Sequence, residues 1–309
     1  MTGLSVYLLG VFASAGTVLA LSVVASRAGL ADDPSAAPHR KLQARPVPAV
    51  GGPGILVGLC AIEVCARPAI VDSGAWIALL LAFVLGVIDD RIRGGLSPLA
   101  LLLGQSVVAV ALLASGWRVC GGEPAVAIVA SFALVLVALN AINAFDNADG
   151  AATSLGILGL SFGSPWLAAP LIGFLPFNLL GHPMRRGDSV PIAYLGNSGS
   201  HLLGILLLLD PVGRVALLLP VLDLLRVSLV RLAAGARPWV GDRRHLAHRL
   251  QRLGLSTPLV ALILLAIAAP AVLGAAASRA RDAESSLWLG WLVSILLFGA
   301  VVRLSPRIE

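Results

Sequence analysis

The chain has 309 residues, of which 58% are hydrophobic and only 12% are charged. Because a soluble domain carries roughly a quarter of charged residues, this composition excludes an ordinary soluble protein and indicates a membrane protein. The net charge of +6 comes without an RNA-recognition motif, a zinc finger or a basic helix, so we expect no nucleic-acid partner. The three cysteines form no CxxC pair, which argues against a disulfide framework or a zinc site.

Apolar stretches recur along the whole chain, many of them close to the roughly 20 residues that a helix needs to cross a bilayer. No charged residue precedes the first stretch, unlike a cleaved signal peptide, so we interpret it as a retained helix. No long polar block intervenes, which predicts one all-α, polytopic transmembrane domain over residues 1–309 with about eleven spans. The predicted spans lie near residues 3–25, 52–67, 75–90, 96–115, 124–142, 150–162, 164–181, 198–210, 212–232, 257–276 and 286–303.

Basic residues are concentrated in every second connection between these spans. The connections rich in arginine and lysine are 26–51, 91–95, 182–197 and 233–256. Because short cytoplasmic loops carry an excess of these residues, the pattern predicts an N-terminus outside and a C-terminus in the cytoplasm. Most aspartates fall on the same cytoplasmic side, so we expect the polar chemistry on that membrane face.

The third predicted span ends in GVIDD, which places Asp89 and Asp90 at its cytoplasmic end. Adjacent carboxylates repel each other, so burying both is unfavourable unless a cation lies nearby. The alternative interpretation is a solvated helix end that leads into a turn.

The fifth predicted span leads into NAINAFDNADG, residues 140 to 150. On a helix, Asn143, Asp146 and Asn147 would share one face, and Asp149 follows three residues after Asp146. Carboxylate and amide oxygens suit Mg²⁺, which often bridges to substrate phosphates. The alternative is a capped helix end, in which Asn and Asp serve turns. Capping requires one or two such residues, whereas this stretch has five.

The stretch YLGNSGSHLLG leads into the eighth predicted span. Small residues and free N–H groups at a helix start favour an anion site. A plain N-cap formed by Ser198 or Ser200 is the alternative.

The last cytoplasmic connection contains GDRRHLAHR, and an earlier one contains HRKLQAR. Arginine suits phosphate recognition, and histidine binds phosphate or transfers protons. The alternatives are a basic loop on anionic lipid headgroups for the first and ordinary positive-inside charge for the second. Taken together, these polar stretches indicate a metal-dependent site that handles phosphates at the membrane surface.

The sequence resembles the polyprenyl-phosphate N-acetylhexosamine-1-phosphate transferases through nearly its whole length. The matching stretches are, in order, RKLQARPVPAVGG, GVIDD with LSPLALLLGQ, NAINAFDNADG, GFLPFN, LGNSGSHLLG, PVLDLLRV and GDRRHLAHRLQRLG. The resemblance implies an enzyme in which polyprenyl (undecaprenyl) phosphate attacks the β-phosphate of a UDP-N-acetylhexosamine and UMP is released, with Mg²⁺ as cofactor. It further implies the bacterial cytoplasmic membrane, an active site facing the cytoplasm and a role in cell-envelope polysaccharide synthesis, and it leaves a homodimer open.

Candidate residues follow from the patterns and the resemblance together. The catalytic candidates are Asp89, Asp90, Asp146, Asp149, His245 and His248. The substrate-binding candidates are Arg40, Lys41, Asn178, Arg243, Arg244 and Arg249. The metal-binding candidates are Asn143 and Asn197. By resemblance, one aspartate of the adjacent pair deprotonates or positions the lipid phosphate, and the Arg40–Lys41 pair contacts it.

Two positions depart from the family pattern. Where the family has GD-x-GS, this chain has Asn197, which keeps an oxygen ligand but loses the charge, so weaker Mg²⁺ binding is expected. Where the family has H-x-H-H, Ala247 replaces the middle histidine. A catalytically impaired member that still binds lipid phosphate or nucleotide is therefore an alternative. A transporter is a more distant one, because the chain shows no repeated halves.

Overall fold

The computed structural model describes residues 3–27, 46–66, 70–92, 94–183 and 189–306, with the backbone alone at 181–183 and 189. The predicted lipid-phosphate ligands Arg40 and Lys41 lie outside these residues, so their assignment stays a prediction. Within the described ranges the chain is largely helical, which confirms the predicted all-α class in outline.

The helices begin and end close to the limits of the apolar stretches. They are α1 Gly3–Arg27, α2 Gly51–Cys65, α3 Ser73–Arg91, α4 Pro98–Ala114, α5 Pro124–Phe145, α6 Ala151–Ser161, α7 Pro165–Leu179, α8 Gly196–Leu209, α9 Gly213–Ala216, α10 Leu218–Ala233, α11 Leu246–Gln251, α12 Thr257–Arg281 and α13 Glu284–Leu304. Two short strands, β1 Gly181–Pro183 and β2 Ser189–Pro191, pair antiparallel.

Every predicted span contains a helix, but the helices differ in length. Five described helices are long and apolar enough to cross a membrane, namely α1, α3, α5, α12 and α13. The other apolar helices that match predicted spans are shorter. The chain is therefore a multi-pass membrane protein by composition and helix length, whereas eleven crossings and their orientation stay predictions.

The predicted span 212–232 is divided into α9 and α10. Pro220 lies in the first turn of α10 and has no N–H to donate to the carbonyl of Ala216, so a continuous helix loses a bond there. The backbone tightens at the junction, where the N–H of Leu217 binds the carbonyl of Arg214 at 3.1 Å. The proline that causes the break is visible in the sequence.

Helix α8 is the central element, since all its residues from Ser198 to Leu208 are buried. It packs against α2, α3 and α5, while α12 and α13 pack on each other farther from it. A helix that is apolar around its whole circumference is suited to such a central position. The approach of α3 requires Gly86, because a Cβ there would overlap the backbone of Asn197 and Ser198.

The start of α8 is also joined to the start of α2 by backbone hydrogen bonds. The N–H groups of Gly51 and Gly52 donate to the carbonyls of Tyr194 and Leu195 at 3.0 and 3.1 Å, and Tyr194 donates to Pro48 at 2.9 Å. The N-terminal ends of α2 and α8 and the C-terminal end of α3 therefore meet at one place.

Candidate active site

The N-terminus of α8 is capped by α3 rather than by its own serines. Asp90 accepts hydrogen bonds from the backbone N–H of Asn197 at Oδ1, 2.8 Å, and of Ser198 at Oδ2, 3.1 Å. Helix α8 has no side-chain cap of its own. The predicted anion site at this helix start is thus filled by a carboxylate of the chain itself, and the alternative, an N-cap by Ser198 or Ser200, is wrong.

Asp89 is the buried member of the aspartate pair, with 7% of its surface exposed. Its Oδ1 accepts the backbone N–H of Leu96 at 2.5 Å, and its Oδ2 accepts Nδ2 of Asn197 at 2.7 Å. The turn that delivers Leu96 passes close to the carboxylate through Gly95, which has a φ of +79°. Because Asn197 donates through Nδ2, its Oδ1 is the atom left to bind a cation.

The end of α5 carries two carboxyls that are unfavourably placed as anions. Burial raises the pKa of Asp146 well above its usual value, and the charges of Asp149 and Asp90 raise it further. Burial alone raises the pKa of Asp149 to about 7. Among the described residues, no lysine or arginine forms an ion pair with either carboxyl. Asp90, Asp146 and Asp149 therefore form a group of neighbouring carboxyls without a basic partner among the described residues, which we call the carboxylate cluster.

Asn147 adds an oxygen to this cluster that has no partner. Its Nδ2 donates to the carbonyl of Ala144 at 2.6 Å, whereas its Oδ1 is buried without a hydrogen bond. A buried polar oxygen without a donor is unfavourable, and a cation would satisfy it. This orphaned oxygen and the raised carboxyl pKa values fit a hard divalent cation such as Mg²⁺.

The carboxylates alone do not form a closed metal cage. No three His, Cys, Asp or Glu side chains of the described residues converge as a metal site would require. Mg²⁺ is usually held by one or two carboxylates together with waters and substrate phosphates. The donor set of the carboxylate cluster and the amide oxygens therefore suits a cation that binds together with a phosphorylated substrate.

Asn178, predicted to bind substrate, braces the site from within. It is buried, its Oδ1 accepts the N–H of Gly150 at 2.9 Å and the hydroxyl of Thr153 at 3.2 Å, and its Nδ2 donates to Ala193 at 3.2 Å. These contacts fix the turn that follows Asp149 to the segment between β2 and α8. The structure therefore favours a positioning role for Asn178.

A second polar cluster surrounds Asp223, which is 1% exposed. Its Oδ2 binds Nδ1 of His245 at 2.9 Å, and its Oδ1 accepts the guanidinium of Arg226 at 2.7 Å. The N–H of Leu246 also donates to this carboxylate, at 3.2 Å. Since a carboxylate holds the Nδ1 proton of His245, Nε2 is the ring atom left for a phosphate or a proton. We call these residues the histidine cluster.

His248 and Arg243 belong to the same neighbourhood. Burial lowers the pKa of His248, a hydrogen bond to Gln251 opposes this shift, and the charges of His245 and Arg243 lower the pKa further. Nε of Arg243 is buried without a hydrogen-bond partner. The guanidinium of Arg243, which keeps an N–H without a partner beside this imidazole, is suited to bind an anion.

The loop that carries these residues is pinned by one buried arginine. Arg231 binds Asp242 through Nε at 3.0 Å and Nη2 at 2.9 Å, and donates to the carbonyl of Pro238 at 2.7 Å. Although burial alone would raise the pKa of Asp242, hydrogen bonds from Arg231 and the N–H of Arg244 hold it below its usual value. Arg244 is half-buried, and its Nε lies 3.7 Å from Oδ2 of Asp242, which is too long for a hydrogen bond. Its guanidinium is therefore loosely held.

Arg249, predicted to bind substrate, is buried against the end of α13. Its Nε donates to the carbonyl of Pro306 at 2.9 Å, and its Nη2 donates to those of Val302 and Ser305 at 2.6 and 2.7 Å. The last carbonyls of a helix have no partners within it, so a guanidinium there completes the helix end. The structure gives Arg249 this capping role, and substrate binding by Arg249 stays a prediction.

The sequence patterns did not single out several residues that the structure places at these clusters. Asp223 could have been recognised from the sequence, because a carboxylate inside an apolar stretch is rare unless it is paired. Arg226 follows it three residues later. Asn147 was recognised as part of a polar face but not as a metal ligand. The contact between Gln105 of α4 and His201 of α8 had no local signal, since the two residues lie 96 positions apart in the sequence.

Helix α5, whose C-terminal end leads into Asp146, packs against both α8 and α10. The described residues record no hydrogen bond or ion pair between the carboxylate cluster and the histidine cluster. The structure thus presents two separate polar groups: one rich in acceptor oxygens and one rich in donors.

No family model matches the chain. It is similar to the undecaprenyl-phosphate alpha-N-acetylglucosaminyl 1-phosphate transferase of Yersinia pestis, with 28% identity over 92% of this chain and 87% of the relative. It is 26% identical to the decaprenyl-phosphate N-acetylglucosaminephosphotransferase of Mycolicibacterium smegmatis, over 87% of this chain and 81% of the relative. The Escherichia coli K12 undecaprenyl-phosphate transferase is also 26% identical, over 91% and 85%. These relatives confirm the family resemblance, and their names agree with the predicted enzyme class.

Because the pKa of Asp149 is raised in the folded protein, the stability of the fold should depend on pH. An unfolded aspartate titrates near 3.9, so the stabilisation from the protonated carboxyl is complete below about pH 4 and is lost as the pH rises to about 7. We expect Asp149→Asn to raise the melting temperature in magnesium-free detergent by several degrees at pH 8, and by less at pH 5. The exposed Asp72→Asn is the control and should show no such difference. If Asp149→Asn did not raise the melting temperature at pH 8, or raised it less at pH 8 than at pH 5, the raised pKa of Asp149 would be contradicted.

Proposed function

We propose that this homologue of polyprenyl-phosphate N-acetylglucosamine-1-phosphate transferases transfers a HexNAc 1-phosphate from a UDP-sugar to polyprenyl phosphate. An oxygen of the lipid phosphate attacks the β-phosphorus of the UDP-sugar. The bond between that phosphorus and the bridging oxygen breaks, so UMP leaves and a polyprenyl-pyrophosphoryl sugar remains. The observation that carries the proposal is the carboxylate cluster with its orphaned amide oxygen, in a chain whose relatives carry these names.

Two polyanions repel each other, so the reaction requires positive charge at the phosphates. Mg²⁺, when bound, would supply that charge and polarise the phosphoryl group that is transferred. The residues of this chain that would hold it are Asp146, Asp149, and the amide oxygens of Asn147 and Asn197. Asn143 lies on the same helix end and remains a candidate ligand.

The two aspartates of α3 would act differently. Both carboxylates have both oxygens hydrogen-bonded, but Asp89 is buried whereas Asp90 is exposed. Asp90 is thus the member of the pair that an incoming lipid phosphate can reach. We assign proton acceptance or positioning of the lipid phosphate to Asp90 and the fixing of Asn197 to Asp89.

The histidine cluster would contact the other phosphates. His245 is held by Asp223, which leaves its Nε2 for a phosphate oxygen. Asp242 pairs mainly with Arg231. Nε of Arg243 has no hydrogen-bond partner, and Arg244 lies 3.7 Å from Asp242, so both guanidinium groups retain N–H donors. A guanidinium presents several N–H donors to a phosphate, so these two side chains would bind and orient the anionic substrates.

We further propose that the chain crosses the bacterial cytoplasmic membrane about eleven times, with the clusters on the cytoplasmic face, where a UDP-sugar is available. Two arginines on the predicted outer side form contacts within the protein. Arg118 donates to the carbonyls of Leu113 and Trp117 at 2.8 and 2.6 Å, and Arg214 lies 5.7 Å from the ring of Trp117. These contacts explain positive charges that the positive-inside pattern leaves outside.

A second candidate function is lipid-phosphate or nucleotide binding without turnover. Asn197 favours it, because its amide satisfies Asp89 without any metal, which an aspartate at this position could not do. A site that is satisfied without the cation has less to gain from binding it.

The reaction is tested by UMP release from detergent-purified protein with undecaprenyl phosphate, UDP-GlcNAc and a magnesium titration. We expect UMP release that EDTA reduces by on the order of a hundredfold or more, because the main electrostatic stabiliser is lost. Asn197→Asp should need less Mg²⁺, since a carboxylate binds it more strongly, and should be less stable without Mg²⁺, since it would face Asp89.

The same assay separates the two candidate functions. Turnover by the unmodified protein establishes a working transferase. Silence of the unmodified protein with activity in Asn197→Asp would favour the binding function. No UMP from either protein with any UDP-HexNAc would contradict the proposed transfer.

The topology is tested with a native reporter, since Cys120 is exposed in a predicted outer connection. A membrane-impermeant maleimide should label Cys120 in intact spheroplasts. In a variant without Cys60, Cys65 and Cys120, Ala236→Cys should be labelled only after permeabilisation, because residue 236 lies in an exposed part of the predicted cytoplasmic loop. The reverse labelling pattern would overturn the orientation.

A further inference from the structure

A series of hydrogen-bonded polar side chains leads from the apolar interior to Asn197, whose amide binds Asp89. Asn140 donates to Oε1 of Gln105 at 2.7 Å, Gln105 Nε2 lies 3.4 Å from Nε2 of His201, and Nδ1 of His201 lies 2.6 Å from the carbonyl oxygen of Asn197. Gln105 and His201 are 1% and 0% exposed. Asn140 lies on α5, Gln105 on α4 and His201 on α8.

The donor and the acceptor can be assigned for each hydrogen bond that links Asn140, Gln105, His201 and Asn197. A carbonyl oxygen only accepts, so Nδ1 of His201 carries the proton. Asn140 also donates to the carbonyl of Leu136 at 2.8 Å, so its Nδ2 is the atom that meets Oε1 of Gln105. Gln105 must then turn its NH₂ group toward His201, whose Nε2 accepts. The ring of His201 is therefore neutral, and reversing either amide would place two donors or two acceptors face to face.

These contacts end on the residue that meets Asp89. The first turn of α8 begins at Gly196, with a φ of +72°, and has no side-chain cap within the helix. His201 binds the carbonyl of Asn197 from one turn further along, while the amide of Asn197 binds Asp89. The orientation of Asn197 is thus set from both its backbone and its side chain.

We propose that His201 is a positioning residue that holds Asn197 so that Nδ2 reaches Asp89 and Oδ1 is presented to the cation. This inference rests on the magnesium site of the proposed function, not on the identity of the sugar donor. The polar chain fixes the angle of the α8 first turn, and the surrounding apolar packing makes any unsatisfied arrangement of these groups unfavourable. A ligand that is fixed before the cation arrives loses less conformational freedom on binding it.

The test compares His201→Leu with His201→Asn. Leucine removes both contacts of the ring. Asparagine restores a donor to the carbonyl four residues earlier, as Asn140 does toward Leu136 in this chain. Ser131→Ala is the matched control, because it removes a buried hydrogen bond to the N–H of Val119 away from the site.

The first readout is the Mg²⁺ concentration that gives half of the magnesium-induced rise in melting temperature, without substrate. The second is the Mg²⁺ concentration for half-maximal UMP release. We expect His201→Leu to raise both by about tenfold, as is typical when a residue behind a metal ligand is removed. His201→Asn should restore most of the affinity, and Ser131→Ala should lower the melting temperature without changing either concentration.

Equal magnesium requirements in His201→Leu and the unmodified protein would overturn the inference, as would the absence of rescue by His201→Asn. The inference would also fall if Mg²⁺ did not stabilise the unmodified protein. If no protein released UMP while the thermal response followed the expected order, the transfer reaction would be wrong and the role of His201 would stand.

Discussion

The contact between the end of α3 and the first turn of α8 is the interaction on which the candidate site depends. Asp90 binds two backbone N–H groups of α8, and Asp89 receives the amide of Asn197. A helix N-terminus favours a nearby negative charge, and a carboxylate at a membrane-protein interior requires donors, so each partner satisfies the other. The two backbones come this close because Gly86 has no side chain. Everything that orients Asn197 therefore also orients the aspartate pair.

The two polar clusters solve the problem of buried charge in opposite ways. In the histidine cluster, Asp223 is neutralised by Arg226 and hydrogen-bonded to His245, so this part of the site is stable by itself. In the carboxylate cluster, Asp146 and Asp149 have raised pKa values and no basic partner among the described residues. Carboxyls that are buried without a basic partner lower the stability of the fold, and they are retained where a ligand completes the site.

The positions of the helices were predictable because hydropathy is a local property, and even the break before α10 has a local cause in Pro220. The polar stretches were predictable as candidates for the same reason. Their partners were not: Asp90 meets Asn197 across 107 residues, and Arg249 reaches the end of α13. Such pairings depend on how helices pack, which a single sequence does not reveal. The sequence also suggested that Ser198 or Ser200 caps α8, whereas packing of α3 supplies a better acceptor.

The most direct test of this account is the position of the cation. Mn²⁺ replaces Mg²⁺ at oxygen-rich sites and has a measurable anomalous signal, so crystals containing Mn²⁺ and a UDP-sugar would locate it. We expect an anomalous peak that places Mn²⁺ within coordination distance of Asp146 or Asp149 and of an amide oxygen of Asn147 or Asn197, next to the β-phosphate. A peak among His245 and His248, or a bound UDP-sugar with no peak at the carboxylates, would contradict it.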